Sequence, residues 1–380
     1  MSAHPNLTTT ADLELFIHQF HQTVETESPS NDKAALHRSA RLFDALGEGL
    51  MGEAAHMEVI DGFPHLVWRF GNGPRRVVLV GHHDTVWPMG TIDDMPFTIS
   101  GGIIRGPGTD DMKGGVLIAM HALKKVKERL GTLDGVTLLI TGDEELGSLT
   151  SRDLIERESA HARASLVFES GGPNGEVKVA RKGVAIYHLN VTGRAAHAGV
   201  EPEKGINATT EIASQVVKIA GLNNPEAGTS VVPSFMQSGT TTNTVPAKAT
   251  LSIDSRATSA REQQRVDKAL RRLRPVIPGA QLHLDGGINR PPWERKVSAH
   301  LFARARKVAQ ELGQDELKPI MVGGGSDGNF TAALGTPTLD GLGTVGGGSH
   351  AVDEHARIDS ILPRIDLTAG LVVDLLTSDQ

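Results

Sequence analysis

The residues of this chain best suited to chemistry are short acidic and histidine clusters, each placed just after a run of apolar residues. Carboxylates and imidazoles gathered at strand ends can hold divalent metal ions, and such ions can activate water for hydrolysis. The sequence has no cysteine, so a strong metal site must use oxygen and nitrogen ligands. The clusters are His82-His83-Asp84, Asp110-Asp111, Asp143-Glu144-Glu145, Glu169 and His350.

The first cluster follows the continuous apolar run of residues 77–80. Successive side chains of a strand point to opposite faces, so His82 and Asp84 share a face from which His83 points away. This spacing predicts His82 as a metal ligand and Asp84 as the acceptor of its other imidazole N–H. The alternative is an exposed His-His-Asp loop, which the preceding apolar run disfavours.

Two further acidic turns allow two interpretations each. The glycine-rich segment 106–115 is either a plain turn before a helix or a close backbone approach to metal, with Asp111 bridging two ions. Asp143-Glu144-Glu145 is either a solvated turn or a pair of glutamates that divide two tasks, one ligating metal and the other moving protons.

Charge balance favours two ions over one. Two divalent cations carry four positive charges, which three carboxylates and one hydroxide would neutralise if both histidines stayed neutral. The carboxylates are those of Asp111, Glu145 and Glu169, and the histidines are His82 and His350.

The elements that must position these residues indicate an α/β fold. Short, wholly apolar runs separated by helical patterns predict a mostly parallel sheet covered on both faces, which binds ligands outside the carboxyl ends of its strands. The predicted strands are residues 77–80, 136–140 and 164–168, and the predicted helices are 13–24, 34–46 and 113–130.

The pattern changes near residue 182 to alternating strands in a β-α-β-β-α-β order, which is the ferredoxin-like arrangement. We therefore expect residues 182–292 to form an inserted α+β domain. The main domain would then comprise residues 1–181 and 293–380, with further helices at 297–312 and 360–376 and a strand at 319–322.

Composition excludes several classes of function. The 380 residues carry a formal net charge of -7 with no basic stripe, which predicts a small-molecule partner and no nucleic acid or membrane partner. The sequence shows no apolar run of membrane-spanning length, and its first residues lack the pattern of a signal peptide. We expect a cytoplasmic location.

Together these motifs resemble the two-metal, M20-type family that includes glutamate carboxypeptidase, acetylornithine deacetylase, succinyl-diaminopimelate desuccinylase and aminoacylase. The resemblance runs from about Val77 to the C-terminus and is nearest to the glutamate carboxypeptidase branch. It implies that Asp84 orients a ligand and that Glu144 is the general base. It also implies that the inserted domain mediates dimerisation and that the enzyme is a homodimer. The metal ligands that it implies are His82, Asp111, Glu145, Glu169 and His350.

The resemblance adds three residues of the inserted domain. His197 is similar to a histidine that reaches into the partner subunit's site and stabilises the oxyanion, which makes it catalytic. Asn243 and Arg256 are similar to substrate-binding residues, and Arg256 could clamp a carboxylate with two hydrogen bonds. Considered without the family, His197 would be an exposed loop histidine and Arg256 part of a surface ion pair.

The predicted function is a metal-dependent hydrolase that cleaves the amide bond of an N-acyl amino acid or a C-terminal peptide bond. A metal-bridging hydroxide would attack the carbonyl, with Glu144 as general base. Zinc fits the two sites best, and cobalt or manganese fits almost as well. Glutamate specificity would need a second cation, for which Lys178, Arg181 and Lys182 are candidates by location.

Rival interpretations use other motifs. Ser326 lies in a G-x-S-x-G sequence, and Asp340 and His350 follow in the order of a serine hydrolase triad, although only about fifty residues remain after Ser326. Residues 341–346 match a dinucleotide fingerprint without a following helix. A non-catalytic small-molecule binder is the third alternative, and a missing ligand or base would favour it.

Overall fold

The computed structural model describes residues 7–74 and 76–378. Within these ranges, no helix is both long and apolar enough to cross a membrane. The helices are α1 (Thr10–Glu25), α2 (Lys33–Met51), α3 (Thr91–Asp94), α4 (Lys113–Leu130), α5 (Arg152–Ser159), α6 (Ala208–Ala220), α7 (Ala260–Arg271), α8 (Ala299–Glu311), α9 (Gly328–Ala333) and α10 (Ile361–Thr377). The strands are β1 (His56–Ile60), β2 (Phe63–Arg69), β3 (Val77–His82), β4 (Thr98–Ser100), β5 (Ile103–Arg105), β6 (Val136–Thr141), β7 (Ala164–Val167), β8 (Val177–Arg181), β9 (Gly183–Thr192), β10 (Ala196–His197), β11 (Ser230–Ser238), β12 (Thr244–Val245), β13 (Lys248–Ala257), β14 (Gln281–Arg290), β15 (Pro319–Val322), β16 (Thr338–Leu339), β17 (Gly346–Gly347) and β18 (His355–Arg357).

The chain divides into two compact units. The first contains the described parts of Met1–Ala180, Arg295–Met321 and Ser326–Gln380, and the second contains Arg181–Glu294 with Val322–Gly325. Each unit has a hydrophobic core of its own.

The first unit is built on a six-stranded sheet in the order β1-β2-β6-β3-β7-β16. Strands β6, β3, β7 and β16 run parallel, and β1 and β2 join as antiparallel strands. Leu79 and Leu138 face the main core, to which α1, α4 and α10 contribute, whereas Leu139 packs with Ile155 of α5 and Phe330 of α9. Helices therefore cover both faces, and the predicted α/β fold with a mostly parallel sheet is confirmed.

A second, smaller sheet in this unit has the order β17-β18-β5-β4. Its central pairing is antiparallel, with His355 of β18 opposite Arg105 of β5. This pairing brings the loop after β5 beside the loop before β18, although about 250 residues separate them in sequence.

The second unit has a four-stranded antiparallel sheet in the order β11-β13-β9-β14. Along the chain, these strands and their helices follow the order β9-α6-β11-β13-α7-β14, and a short ribbon of β10 and β12 stands apart from the sheet. Alternate residues of β9 and β13 point into a core that α6 and α7 complete.

Glycines at the start of α4 allow an unusually close approach to the segment after β7. A Cβ atom on Gly115 would lie 1.9 Å from the carbonyl oxygen of Phe168, and a Cβ on Gly114 would lie 2.6 Å from Cγ2 of Thr344. Gly115 therefore lets α4 pack directly against backbone, and Gly114 leaves room for the side chain of Thr344.

We expect Gly115→Ala to lower the free energy of unfolding by about 1 to 3 kcal/mol, because the added methyl group overpacks against Phe168. Gly49→Ala in α2 is the matched control, since nothing lies within 4 Å of its Cβ position. It should raise the same free energy by about 0.5 to 1 kcal/mol. Urea unfolding measures both, and shifts of the same sign would contradict the packing argument.

Candidate metal centre

The candidate centre lies where three parallel strands of the first unit end. β3 ends at His82, which pairs in register with Thr141 at the end of β6. Val80 pairs with Val167 at the end of β7, two residues before Glu169. The parallel register therefore delivers the clusters that follow these strands to one edge of the sheet.

His82 is buried and points its two ring nitrogens at different partners. Nε2 lies 3.2 Å from Oδ1 of Asp111 and 3.9 Å from Oε1 of Glu169. Nδ1 lies 3.0 Å from the main-chain oxygen of Asp84 and 3.4 Å from its Oδ1. His83 points away, with its ring nitrogens 3.2 Å from the hydroxyl of Ser39 and the carbonyl of Pro64, as the strand alternation predicts.

Asp111 lies between two histidines. Its Oδ1 faces Nε2 of His82, and its Oδ2 lies 3.3 Å from Nε2 of His350. The same nitrogen of His350 lies 3.2 Å from Oε1 of Glu145. One carboxylate that presents each oxygen to a different imidazole has the arrangement required of a bridging ligand.

Two sets of donor atoms are close enough to share an ion. One set is His82, Asp111 and Glu145, and the other is His82, Glu144 and Glu169, with the donor atoms of each set within 4.8 Å of one another. Ligands about 2.0 to 2.2 Å from a tetrahedral ion lie about 3.3 to 3.6 Å apart. The donor atoms of Asp111 lie 3.2 Å from Nε2 of His82 and 3.3 Å from Nε2 of His350. Both separations are therefore compatible with divalent metal binding.

Asp84 connects this ligand set to the glutamates. Its carboxylate accepts hydrogen bonds from the hydroxyl of Ser30 (2.8 Å) and from the backbone N–H groups of Glu144 (3.2 Å) and Glu145 (3.1 Å). Burial alone would raise the pKa of Asp84, but hydrogen bonds from His82 and Ser30 hold it below its usual value. Asp84 is therefore an ionised group that orients both the histidine and the two glutamates.

Burial and neighbouring groups shift the pKa values of Glu145 and Asp111 in opposite directions. Burial raises the pKa of Glu145, and the neighbouring charge of Asp111 adds to that rise against the hydrogen bond from His350. For Asp111, burial is outweighed by hydrogen bonds from His350 and His82, which hold its pKa well below the usual range. Positive charge next to Asp111 is thus what this cluster needs, and divalent cations would supply it.

The three site residues predicted in the inserted segment lie in the second unit. His197 is exposed on β10, and its Nδ1 accepts a hydrogen bond from the N–H of Gly199. The main-chain oxygen of Asn243 accepts a hydrogen bond from Ala198, so Asn243 adjoins the same ribbon. Arg256 on β13 forms an ion pair with Asp254, with Nη2 2.8 Å from Oδ2.

The structure contradicts the two motif-based rivals. Ser326 is fully buried, and its hydroxyl donates to Oδ2 of Asp340 at 2.8 Å, whereas His350 is half-exposed beside Glu145. The serine donates directly to Asp340 while His350 lies beside Glu145, so the three residues do not form a Ser-His-Asp triad and the serine-hydrolase interpretation is wrong. The dinucleotide interpretation is also wrong, because residues 341–346 lead into β17 and not into a helix.

Sequence reasoning missed the role of Asp143. Its carboxylate accepts hydrogen bonds from the backbone N–H and hydroxyl groups of both Thr150 and Ser151, so it closes the loop that carries Glu144 and Glu145. An aspartate that begins a turn, with hydroxyl residues a few positions later, is the available signal for this role.

Comparison with known proteins gives consistent results. A profile of Peptidase family M20/M25/M40 matches residues 78–374. Carboxypeptidase G2 from Pseudomonas sp. (strain RS-16) is 32% identical over 316 residues, which cover 80% of this chain and 75% of that protein.

Two solved structures share the fold. An M20 family metallo-carboxypeptidase from Sulfolobus solfataricus superposes with a TM-score of 0.75 at 17% identity, covering 94% of this chain and 98% of that one. A Bacillus subtilis protein described as a dinuclear metal-binding peptidase of the M20 family gives 0.67 at 15% identity, covering 98% of this chain and all of that one.

If Asp111 bridges two ions, Asp111→Asn should lower the zinc affinity of both positions. Loss of an outer-shell partner costs about 10- to 100-fold in metal affinity, and loss of a direct ligand should cost at least as much. The measurement is elemental analysis after dialysis against buffered zinc. Metal at 100 times its dissociation constant should also add about 2.7 kcal/mol to the stability of the unchanged protein. Asp327→Asn is the control, because that buried carboxylate accepts from Thr141 and Ser148 outside the cluster. Two ions held as tightly by Asp111→Asn as by the unchanged protein would refute the bridge.

Proposed function

The chain belongs to Peptidase family M20/M25/M40, a family of metal-dependent peptidases, and we propose that it hydrolyses the amide bond of an N-acyl amino acid or a C-terminal peptide bond. The observation that carries the proposal is the carboxylate of Asp111 between His82 and His350, with Glu169 beside His82 and Glu145 beside His350. A non-catalytic binder would be favoured by a missing ligand or base, and here each predicted ligand is within reach of another.

Zinc is the ion that we propose for both positions, with cobalt and manganese as ions that the same oxygen and nitrogen ligands accept. Ions held by His82, Asp111, Glu145, Glu169 and His350 would lower the pKa of bound water and polarise the scissile carbonyl.

Glu144 is proposed as the proton carrier. Its carboxylate belongs to the same group of donors as His82 and Glu169, and its backbone N–H is fixed by Asp84. It accepts one proton from the attacking water as the new C–O bond forms. It then gives that proton to the departing amine as the C–N bond breaks, so one residue serves first as base and then as acid.

His197 is proposed to stabilise the oxyanion from the partner subunit of a homodimer. The hydrogen bond from Gly199 to Nδ1 places the proton of a neutral ring on Nε2, which makes Nε2 a donor. A donor aimed at a developing oxyanion is a large source of rate enhancement.

Two observations bear on the substrate. The relative at 32% identity is named a carboxypeptidase, which supports a substrate with a free C-terminal carboxylate. Arg256 already binds a carboxylate through Nε and Nη2, that of Asp254. A substrate carboxylate would compete with Asp254 or use the remaining donors of the guanidinium.

Glu144→Gln should retain its metal and lose about two to four decades of turnover, because the amide cannot accept the proton from water. The assay is a hydrolysis screen over N-acyl amino acids, folyl-type glutamates and dipeptides, with elemental analysis of the same samples. Glu128→Gln on the exposed side of α4 is the control and should retain full activity. Unchanged turnover in Glu144→Gln would refute the assignment of Glu144 as the base. Loss of metal in this variant would instead show that Glu144 is a metal ligand.

Mixing His197→Ala with Glu144→Gln should restore activity if each site uses both subunits. Random exchange leaves half of the dimers mixed, each with one intact site, which gives about a quarter of the activity of the unchanged enzyme. Each variant incubated alone is the control. Mixed dimers that form without recovery of activity would argue against a role for His197 in the partner's site.

A further inference from the structure

Two loops that carry proposed metal ligands lie side by side in the first unit. The loop after β5 contains Asp111, and the loop between β17 and β18 contains His350. The pairing of β5 with β18 aligns the bases of these loops. What holds the loops together beyond that pairing is a buried carboxylate that the proposed mechanism does not use.

That carboxylate is Glu354, which is 1% exposed. Its Oε1 accepts hydrogen bonds from the backbone N–H groups of Asp110 (2.8 Å) and Asp111 (3.0 Å). Its Oε2 accepts from the N–H of Gly108 (3.1 Å) and from Nε1 of Trp87 (2.7 Å). Four donors thus converge on one side chain, and three of them belong to the backbone of the Asp111 loop.

A second contact joins the same two loops. The hydroxyl of Ser349, the residue before His350, donates to Oδ2 of Asp110 at 2.7 Å. The backbone of His350 itself has a φ of 64°, a conformation that non-glycine residues seldom adopt without support from their surroundings. The position of His350 therefore depends on contacts on both sides of it.

We infer that Glu354 is a positioning residue that fixes the distance between Asp111 and His350 and thereby sets the affinity of the metal position that these two share with Glu145. The inference rests on the proposed two-ion site. Its physical basis is that Glu354 holds the backbone N–H of Asp111 while lying four residues from His350 on a short, tightly bonded loop.

The effect should be larger at one of the two positions. His82 lies at the end of β3, and Glu169 follows β7, so the central sheet holds these two residues in place. Asp111 and His350 lie on loops, and the hydrogen bond from Asp111 to Glu354 joins those loops. Loss of the bond should therefore weaken the position that needs both loops more than the other position, which uses only Asp111 from these loops.

Glu354→Gln is the informative variant because it keeps the size of the side chain and reverses half of its hydrogen bonding. The amide offers one acceptor oxygen, and its NH2 group would face N–H donors that the carboxylate now satisfies. Buffered zinc titrations of the full-length protein should show the position of His350 and Glu145 weakened by about 10- to 100-fold and the other position weakened less. Turnover should recover at high zinc, and the fluorescence of Trp87 should change with the lost bond.

Glu211→Gln is the matched control. Glu211 is a fully buried carboxylate of the second unit that accepts hydrogen bonds from the backbone N–H groups of Val276 (2.8 Å) and Ile277 (2.6 Å). Its replacement should lower stability and leave both zinc affinities unchanged. If Glu354→Gln does not fold, Ser349→Ala removes only the bond to Asp110 and should weaken the same position to a smaller degree.

The outcomes separate this inference from the proposed function. Two zinc positions that both stay unchanged, or that weaken equally, in Glu354→Gln would overturn the positioning role and leave the two-ion site standing. Turnover that stays low at saturating zinc would also overturn it, because a positioning defect is rescued by mass action. An unchanged protein that binds no zinc would overturn the proposed function together with this inference.

Discussion

Negative charges that share a poorly solvated space repel one another, and the first unit holds Asp111, Glu144, Glu145 and Glu169 around a single histidine, His82. Such a cluster is stable only if positive charge or hydrogen-bond donors compensate it. Without a metal, the imidazoles would have to carry that charge. The sheet, the loops and the close packing of α4 can all be understood as the means of holding this unfavourable arrangement in one shape.

The carboxylates of the first unit therefore have two distinct kinds of surroundings. Those of the cluster face imidazoles and one another, with donor atoms close enough together to share an ion. The carboxylates that support the cluster accept several hydrogen bonds each, mostly from backbone N–H groups. They are those of Asp84, Asp143 and Glu354. A carboxylate that accepts several backbone hydrogen bonds fixes the loop that supplies the donors. The supporting set gives the cluster its rigidity.

The features that the sequence predicted depend on residues close together in the chain, and those that it missed depend mainly on residues far apart in the chain. Strands β3, β6 and β7 were predictable because strands buried on both faces are continuously apolar. The clusters that follow them lie together because parallel strands end at the same edge of a sheet. The hairpin of β1 and β2 was not, since β1 is only partly buried and shows no clear alternation. Strands of two residues, such as β16 and β17, are too short for any periodicity. The role of Glu354 depends on donors that only the folded chain brings together, because all four lie more than 240 residues away.

The division of tasks between Glu144 and Glu145 depends on the local backbone that follows β6. In an extended strand, neighbouring side chains point to opposite faces, and one of the two glutamates would leave the cluster. Here, residues Glu144–Leu146 form a single 3₁₀ turn, in which successive side chains lie about 120° apart. Glu145 can then reach His350 while Glu144 stays near His82 and Glu169. Because Asp84 binds the N–H of both glutamates and borders His82, the proposed base and the ligands are fixed to the same strand end.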